Sequence, residues 1–587
     1  MTRRSWRYLL ILLTIWLLIL AYMGWNLLVL VEDSNKNQAA LDRKDRHVDL
    51  LNTQNQRLKQ MVSELESQKE SLESQILSKE KKIQTLKRFS DKKPQVIVEK
   101  QIVQVPGTGS SLSKKEIAHH ASDTCSPSLE HEKYRRRAEN EVREIFYYLS
   151  AEITKINKKI PQAKKQLTHM LKMSETLHQM LTNDLEKMNS LDGKSKWQWS
   201  EHEELSRIVQ ERIKKLQNPK DCSTSKKLIC QLNKGCGYGC QVHHVLYCFI
   251  VAFGSQRTMI IDSTGWRYSS SGWSGIFLQP SETCTSYTGG FSNWQRNNDA
   301  QNVILPIVDS LYPRPPYMPM AVPEDLADRL SRLHGHPFVW WIGQFAKYLF
   351  RYNANVQKEI NEKRERMGFK SPIVGIQVRR TDKINTEAAR HEVEEYMYWV
   401  QLYYSRLGLN QAIDSKRVYV ASDDPSVFPE LQRKYPDYTF ISDQDISKSA
   451  GIASRYSDAS LHGVIFDIQM LSECDYLVCT FSSQVCRVGY EIMQSKHPDA
   501  SRKFQSLDDI YYFGGQSGHN VRAILPHTAE TREEIDLEVG DLIGIAGNHW
   551  DGYSKGTNHR TGQMGLYPSY KVEEVMETAQ FPTFDDL

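Results

Sequence analysis

The sequence predicts an α/β protein in which a parallel sheet lies between an N-terminal helical stem and a small C-terminal β-barrel. From about residue 220 to 510, short β-rich runs alternate with helical segments, which is the pattern of a Rossmann-type parallel sheet. Upstream, leucines repeat every seven residues, and downstream, short alternating strands are separated by glycine turns. At 587 residues the chain needs more than one core.

Bulk composition gives no support to nucleic-acid binding. The formal net charge is only +4, with 25% charged and 40% hydrophobic residues, which is ordinary for a globular protein. A local site must therefore carry the function.

The first residues predict a membrane anchor. The segment 9–31 is apolar and, at a helical rise of about 1.5 Å per residue, long enough to span a bilayer. Three arginines lie within residues 1–8 and two acidic residues follow the segment, so the positive-inside rule predicts a type II signal anchor with a short cytoplasmic tail. The alternative is a cleaved signal peptide, but the apolar run is long for one.

Residues 32–130 predict a stem with an imperfect coiled coil and a Pro/Gly/Ser linker, or else a solvated single helix. The next section, 131–220, is helical with apolar faces that need a partner, either the catalytic domain or a second copy of the chain. We expect a homodimer through these helices. Their apolar positions are Ile145, Leu149, Ile153, Ile156, Leu167, Leu171, Met173, Leu177 and Leu181.

Ten cysteines are present, and six of them fall between residues 222 and 284. In an oxidising lumen such clusters form disulfides. Zinc is the competing interpretation, but no Cys-x-x-Cys pair occurs, so disulfides are favoured.

Three loops should carry the chemistry, because ligands of open parallel sheets bind beyond the carboxyl ends of the strands. The predicted strands include Thr258–Asp262, Ile373–Val378, Arg417–Ala421 and Tyr476–Thr480. The last three are followed by loops that supply cations, carboxylates, and hydroxyl and amide groups at a helix start, namely Arg379-Arg380, Asp423-Asp424 and Ser482-Ser483-Gln484.

This set of loops suits a nucleotide diphosphate that carries a sugar. A planar guanidinium can bind a pyrophosphate leaving group bidentately, and helix N–H groups add to the field. Direct displacement also needs a carboxylate that takes the acceptor proton. The alternative for Arg379 and Arg380 is a surface ion pair with Asp382 or Glu387.

Two further motifs are weaker. The glycines of the turn 235–240 suit either phosphate approach or a disulfide-tied turn, and the absence of a dinucleotide fingerprint or P-loop disfavours NAD and ATP chemistry. Asp443-Gln444-Asp445 has the form of a manganese-binding Asp-x-Asp site, but we favour a solvated loop and predict a metal-independent reaction.

The segment 516–577 resembles an SH3 domain in the order and spacing of its turns and strands. His549 stands where the first tryptophan of the usual pair is found, so binding of proline-rich ligands is in doubt. A role in acceptor contact, or a structural role, fits better.

Three long segments together resemble the α-1,6-fucosyltransferase family of animal N-glycan processing, glycosyltransferase family 23. They are Gln377–Ala389, Cys479–Arg487 and Asn548–Gly556, and the likeness extends in order over about 220–575. The resemblance implies a GT-B-like catalytic region at 221–510. It also implies an inverting, metal-independent transfer of fucose from GDP-fucose, in α-1,6 linkage, to the innermost N-acetylglucosamine of N-glycans.

The same resemblance implies roles for individual residues. Arg379 and Arg380 would hold the GDP phosphates, and Asp467 would bind guanine. Glu387 would be the base on the acceptor hydroxyl, with Lys383 as a proton relay or electrostatic partner. The donor site would also be lined by Gly237, Tyr268, Ser483 and Gln484, and the acceptor would contact Lys234, Asp309 and His549.

The resemblance further implies the disulfides Cys222–Cys284, Cys230–Cys248, Cys236–Cys240 and Cys479–Cys486. It also implies residence in the Golgi membrane, with the catalytic part in the lumen. One departure concerns Gln377, which replaces the family's usual histidine; we expect altered donor affinity at most. Two alternatives remain: a fucosyltransferase for another acceptor, such as protein hydroxyls or chitin oligosaccharides, and a non-catalytic Golgi scaffold.

Overall fold

The computed structural model describes residues 126–584, apart from 295–296, 298, 307–310, 312–313, 319, 382–388, 452–453 and 514–518. All described residues belong to one compact unit. The predicted anchor and coiled coil lie outside the described residues. In the part of the chain that is described, no helix has the length and apolar character needed to cross a bilayer.

Three long helices open the described chain: α1 (Leu129–Lys159), α2 (Lys164–Leu191) and α3 (Lys194–Gln217). Ser128 caps α1 by accepting a hydrogen bond from the amide of His131 at 3.1 Å. Pro161 begins a short 3₁₀ turn between α1 and α2, where a proline can stand without removing a needed backbone donor. These helices occupy the section that the sequence predicts to be helical.

The first half of the catalytic region contains a parallel sheet in the order β2-β1-β4-β3. The strands are β1 (Lys227–Gln231), β2 (Thr258–Asp262), β3 (Ser292–Asn293) and β4 (Asn302–Ile304). Helix α4 (Tyr238–Gly254) joins β1 to β2 and is buried along nearly its whole length, because it is apolar on every side.

A short strand and three helices connect the two halves: β5 (Val322–Pro323), α5 (Glu324–Leu333), α6 (Pro337–Leu349) and α7 (Ala354–Arg366). The α6 residues Trp340, Trp341 and Phe345 are buried, and Phe345 packs edge-on against Phe249 and Phe253 of α4. This aromatic cluster forms the centre of the main core.

The second half contains a parallel sheet in the order β10-β9-β6-β7-β8. Its strands are β6 (Ile373–Val378), β7 (Arg417–Ser422), β8 (Thr439–Ile441), β9 (Tyr476–Cys479) and β10 (Phe504–Ser506). Its helices are α8 (Val393–Leu407), α9 (Val427–Lys434), α10 (Gln444–Ser449), α11 (Asp458–Glu473) and α12 (Gln484–Gln494). The four predicted β-rich runs correspond to β2, β6, β7 and β9. The predicted GT-B-like α/β architecture is confirmed, with two parallel sheets where the sequence predicts one.

An antiparallel sheet in the order β14-β13-β12-β11-β15 follows, as the SH3 resemblance predicts. Its strands are β11 (Asn520–Ala523), β12 (Leu542–Asn548), β13 (Tyr553–Asn558), β14 (Met564–Pro568) and β15 (Val572–Glu574). The chain then returns to the catalytic core: β16 (Thr578–Ala579) pairs in parallel with β5, and Phe581 and Phe584 pack on Phe253. Sequence reasoning assigned this tail no role.

The apolar faces of α1 and α2 are used in two ways. Phe146 and Tyr147 are buried in a small cluster with Leu402 of α8. Of the predicted stripe on α1, Ile153 is buried, whereas Ile145, Leu149 and Ile156 are exposed, as are Met173, Leu177 and Leu181 of α2. One face therefore packs on the catalytic region and another stays open to solvent in the single chain.

Four disulfides are formed, and they are the pairs that the family resemblance implies: Cys222–Cys284, Cys230–Cys248, Cys236–Cys240 and Cys479–Cys486. The second joins β1 to α4, and the fourth joins β9 to α12, so each ties a strand to the helix that follows it. Cys474 is a buried free thiol.

Candidate active site

The carboxyl ends of β6, β7 and β9 lie side by side. Strand β6 pairs in parallel with both neighbours, and its pairing with β7 runs to the last residue of each strand. The loops that follow therefore leave the same edge of the sheet, where ligands of open α/β sheets bind. These loops contain Arg379–Thr381, Asp423–Asp424 and Phe481–Gln484.

The N-termini of α4 and α12 meet at the boundary between the two sheets. A Cβ atom built on Gly239 would lie 2.7 Å from the Cβ of Gln484 and 3.1 Å from its carbonyl carbon, so only glycine permits this approach. The first N–H groups of a helix have no partner within the helix and carry partial positive charge. Two such ends, one from each sheet, make a favourable place for an anion.

Buried hydroxyl groups lie at the start of α12. The Ser483 side chain is 1% exposed, and within the described residues neither its Oγ nor that of Ser482 has a hydrogen-bond partner. Buried polar side chains in folded proteins are normally paired. Ligand oxygens would supply the missing partners.

Tyr268 and Gly237 complete the α4 side. The Tyr268 hydroxyl accepts a hydrogen bond from the amide of Tyr238 at 2.8 Å. A Cβ built on Gly237 would meet no atom within 4 Å, so a ligand could lie against the backbone there. The structure thus brings four predicted donor-site residues together: Gly237, Tyr268, Ser483 and Gln484.

Of the two arginines that follow β6, Arg380 is engaged by carboxylates of the protein. Its guanidinium donates to Glu430 at 2.7 Å and to Glu392 at 3.3 Å, and its amide donates to Asp423 at 2.8 Å. Burial works to lower the pKa of Arg380, but these carboxylates outweigh burial and raise it. The predicted role of Arg380 on phosphate stays a prediction, and the half-buried Arg379 stands directly at the strand end.

Asp467 is a buried carboxyl on α11. Its Oδ1 accepts a hydrogen bond from the hydroxyl of Tyr419 at 2.6 Å. Burial raises the pKa of Asp467 to about 7, despite the opposing effect of this hydrogen bond. In the described chain no hydrogen bond engages its second oxygen, so Asp467 retains an acceptor for an incoming N–H group.

Gln377 lies near the carboxyl end of β6 and is 4% exposed. Its Oε1 is buried and has no hydrogen-bond partner within the described residues. The side-chain oxygen of Gln377 could therefore accept a hydrogen bond from an N–H or O–H group of the nucleotide. This fits the expectation that glutamine in place of histidine alters the affinity for the donor substrate at most.

The SH3-like sheet contacts the loop after β9 through Asp508. The Asp508 carboxylate accepts hydrogen bonds from the amides of Phe481 at 2.8 Å and Ser482 at 3.3 Å. The indole of Trp550 donates to the Asp508 carbonyl at 3.0 Å. His549, next to Trp550, is exposed, and its amide donates to the Tyr553 carbonyl at 3.0 Å. The predicted acceptor residue thus lies in a hairpin that contacts the donor-site loop.

Of the four remaining predicted site residues, the structure describes only Lys234. Lys234 lies in the half-buried turn before α4, where burial lowers the pKa of its ammonium group. Lys383, Glu387 and Asp309 lie outside the described residues.

The Asp-x-Asp motif caps a helix. Asp443 accepts a hydrogen bond from the amide of Asp445 at 2.9 Å at the start of α10, and it pairs with Lys363 at 2.5 Å. Asp445 is exposed and pairs with Lys448. The predicted solvated loop is therefore the start of α10, which contains Gln444 and Asp445 and which Asp443 caps. A separate group of carboxylates, Glu392, Glu394 and Glu430, forms ion pairs with Arg380 and Lys434.

Sequence reasoning missed three polar residues behind the site: His243 and Glu491, which are buried, and Asp508, which is half-buried. His243 and Glu491 bond to each other at 3.0 Å across α4 and α12. One signal was present in the sequence. His243, like Gln241 and His244, is a polar residue in a helix whose other residues are mostly apolar. Such residues need a partner when buried, but the sequence does not say which.

Comparison with known proteins identifies the family of the chain. The family model of the α-(1,6)-fucosyltransferase N-terminal and catalytic domains matches residues 1–512, and the model of a variant SH3 domain matches 523–573. An α-(1,6)-fucosyltransferase of Drosophila melanogaster is 49% identical over 465 residues, which cover 78% of this chain and 75% of the fly protein. One from Caenorhabditis elegans is 40% identical over 523 residues, which cover 88% of this chain and 90% of the worm protein.

Solved structures give local or distant matches. The SH3 domain of myosin IB from Entamoeba histolytica aligns at 36% identity, covering 10% of this chain and 93% of that domain, with a TM-score of 0.09. The NodZ α-1,6-fucosyltransferase soaked with GDP-fucose aligns at 12% identity, covering 46% of this chain and 92% of NodZ, with a TM-score of 0.30. Because the family model spans most of the chain and the fly and worm relatives match over most of their own length, the chain belongs to the α-(1,6)-fucosyltransferase family.

Proposed function

We propose that this enzyme transfers fucose from GDP-fucose, in α-1,6 linkage, to the innermost N-acetylglucosamine of N-glycans, with inversion at the fucose carbon and without a metal ion. The observation that carries the donor assignment is the convergence of the α4 and α12 N-termini around the unpartnered Ser483 hydroxyl. A diphosphate would receive N–H and O–H donors from both halves of the catalytic region at this point.

The chemistry of a single displacement fits these groups. The bond between fucose C1 and the diphosphate oxygen breaks as the acceptor 6-oxygen bonds to C1 from the opposite face. The leaving diphosphate gains charge, which Arg379 and the two helix N-termini would stabilise. In this proposal Glu387 takes the proton from the 6-hydroxyl, with Lys383 beside it.

Recognition of the nucleotide is assigned to Asp467. Guanine presents adjacent N–H donors, and a carboxylate accepts them. Burial of Asp467 strengthens such hydrogen bonds, because few water molecules compete for the acceptor. Gln377, near the carboxyl end of β6, supplies a second buried acceptor.

Metal independence is part of the proposal. Asp443, which a metal site would need, already caps α10 and pairs with Lys363. Arginine and helix N-termini would supply the positive field in place of a cation.

For location and assembly, we propose a type II anchor at residues 9–31 in the Golgi membrane and a homodimer through α1 and α2. The exposed side chains Ile145, Leu149, Met173, Leu177 and Leu181 support the dimer, since burying them against a second copy removes apolar surface from water. Sedimentation of the full-length chain in detergent, beside a variant with Leu177→Glu and Leu181→Glu, tests this assembly. A wild type that stays monomeric would contradict it.

The reaction is tested with purified full-length chain, GDP-fucose and an N-glycan that ends in exposed N-acetylglucosamine, in the presence of a chelator and beside Glu387→Gln. We expect core-fucosylated product from the wild type and a loss of about 10²- to 10⁴-fold in the variant, the usual contribution of a general base. Product that appears only after addition of manganese would refute metal independence. Absence of product under both conditions would refute the acceptor assignment.

A further inference from the structure

We propose that His243 and Glu491 are positioning residues that lock α4 and α12 together, so that the two helix N-termini present their donors to the diphosphate in one fixed geometry. The inference rests on the proposed function, because it concerns the same donor site. Both residues act through the helices that carry Gly237, Ser483 and Gln484, and His243 also contacts Gln484 directly.

The hydrogen bonds of His243 link both helices and reach the site itself. Its Nδ1 lies 2.8 Å from the carbonyl oxygen of Gly239 and 3.3 Å from the Oε1 of Gln484. Its Nε2 lies 3.0 Å from the Oε1 of Glu491, two turns further along α12. One imidazole therefore contacts the first turn of α4, the first residue of α12 and the middle of α12.

The pair is deeply buried. His243 is 5% exposed, Glu491 is 0% exposed, and the hydroxyl of Tyr511 donates to the same Glu491 oxygen at 2.7 Å. The ring of Phe513 packs edge-on against the imidazole, with 5.3 Å between the ring centroids. A buried, hydrogen-bonded polar pair gains little stability over apolar residues of the same size, so a role in fixing geometry explains its presence better than stability does.

Each ring nitrogen of His243 faces only oxygen acceptors. The Gly239 carbonyl can only accept, and the Glu491 carboxylate accepts when ionised. One imidazole therefore links the Gly239 carbonyl on α4 to the Glu491 carboxylate on α12. The imidazole then forms a rigid bridge in which neither end can move without losing a buried hydrogen bond.

At Gly239 the ends of α4 and α12 are packed so closely that a longer, looser contact could not replace the His243–Glu491 bridge. A Cβ atom at Gly239 would already clash with Gln484, so the two helix ends are in van der Waals contact. A small rotation of α12 would shift the Ser483 hydroxyl and the first N–H groups relative to Gly237. Displacements of this kind at a binding site are costly, because donors must meet the ligand oxygens at hydrogen-bond distance.

A matched bond at the other end of α12 provides the control. His334, 0% exposed, bonds through its Nε2 to the Oε1 of Gln494 at 2.8 Å. This imidazole is also buried and also bonds to α12. Its partner, Gln494, is the last residue of that helix, at the opposite end from the donor-site loop. Loss of this bond should lower stability without disturbing the N-terminus of α12.

The test compares His243→Asn, His243→Gln, Glu491→Leu and His334→Asn in the full-length chain. Asparagine places an amide near the Nδ1 position and cannot reach Glu491, whereas glutamine places one near Nε2 and can. We measure the melting temperature, the dissociation constant for GDP by calorimetry, and KM and kcat for GDP-fucose. We expect His243→Asn and Glu491→Leu to raise the GDP dissociation constant about 10- to 100-fold.

His243→Gln should restore most of the affinity, and His334→Asn should lower the melting temperature while it leaves GDP binding within about threefold of wild type. If His243→Asn and Glu491→Leu bind GDP like the wild type, the positioning role is refuted. It is equally refuted if His334→Asn weakens GDP binding as much as they do, since general destabilisation then accounts for the loss. A wild type that binds no GDP would overturn the proposed function itself, which the variants do not test.

Discussion

The loops after β6 and β9 leave the same edge of one sheet but satisfy their polar groups in opposite ways. After β6, the guanidinium of Arg380 donates to Glu430 and Glu392, so protein carboxylates engage the described start of this loop without a ligand. After β9, the hydroxyls of Ser482 and Ser483 are buried and have no hydrogen-bond partner among the described residues. One loop is preorganised by the protein, whereas the other is completed only when a ligand arrives.

The difference separates stability from binding. A change at Arg380 removes partly buried ion pairs and should disturb both the fold and the site. A change at the unpartnered hydroxyls should weaken binding and leave the empty protein as stable as before, or more so. The two loops can therefore be distinguished by measuring melting temperature and donor affinity on the same variants.

The largest effect is expected at the strand end itself. Arg379→Ala should lower kcat/KM for GDP-fucose about 10³-fold, because it removes charge stabilisation from the leaving diphosphate. Arg380→Ala should cost about 1 kcal/mol of unfolding free energy, because Glu430 and Glu392 lose the Arg380 guanidinium but keep Lys434 and Arg390 as partners. Steady-state kinetics and denaturant melts of both variants check this contrast. Equal kinetic losses with equal stability would show that both arginines bind phosphate.

Asp467 should make donor binding depend on pH. Burial raises its pKa to about 7, and guanine needs the ionised form, so GDP affinity should strengthen as pH rises through about 7. Asp467→Asn should weaken GDP binding about 10- to 100-fold at pH 8 and abolish this pH dependence. Calorimetry at pH 6 and pH 8 provides the measurement. An unchanged pH profile in the variant would assign the titration to another group.

The same raised pKa has a consequence for stability. Because the pKa of Asp467 is higher in the folded than in the unfolded state, the stability that its protonated form contributes is present below about pH 4 and lost as pH rises through about 7. Asp467→Asn should therefore be more stable than wild type at pH 8 and gain little at pH 4. Denaturant melts at the two pH values check the sign.

The contact between the two helix N-termini should be intolerant of a single methyl group. Gly239→Ala places a Cβ 2.7 Å from Gln484 and should cost about 1–3 kcal/mol of stability and raise KM for GDP-fucose about tenfold. Gly237→Ala, whose Cβ meets no protein atom within 4 Å, is the control for stability. If Gly239→Ala melts like Gly237→Ala, the helices have room to separate and the close contact does not fix the site.

The smallest effect is expected at Ser483. Ser483→Ala should raise KM for GDP-fucose about fivefold, the value of one neutral hydrogen bond, while the melting temperature stays the same or rises. Kinetics and calorimetric melting on one preparation test both parts. A lower melting temperature in the ligand-free variant would show that the hydroxyl has a structural partner.

Much of the catalytic fold could be predicted from local patterns. The runs at Thr258–Asp262 and Ile373–Val378 are β-branched and bounded by polar loops, and both are strands with the predicted ends. Strand β1 was not predicted, because its residues lie inside a cysteine-rich segment that was interpreted through its disulfides. Strand β16 is two residues long, and its identity depends on pairing with β5, which no local pattern contains.

Sequence patterns alone were enough to predict the order of the domains, the three loops at the strand ends, the SH3-like sheet and, through resemblance, the disulfide pairs. These features depend on periodicity, turn residues and recognisable motifs, which are local in the chain. Tertiary structure alone decided that Arg380 pairs with Glu430, that Asp508 binds the amides of Phe481 and Ser482, and that His243 meets Glu491. Those contacts join residues that lie far apart in sequence, and a buried polar group obtains its partner only when the packed helices and strands bring one within hydrogen-bond distance.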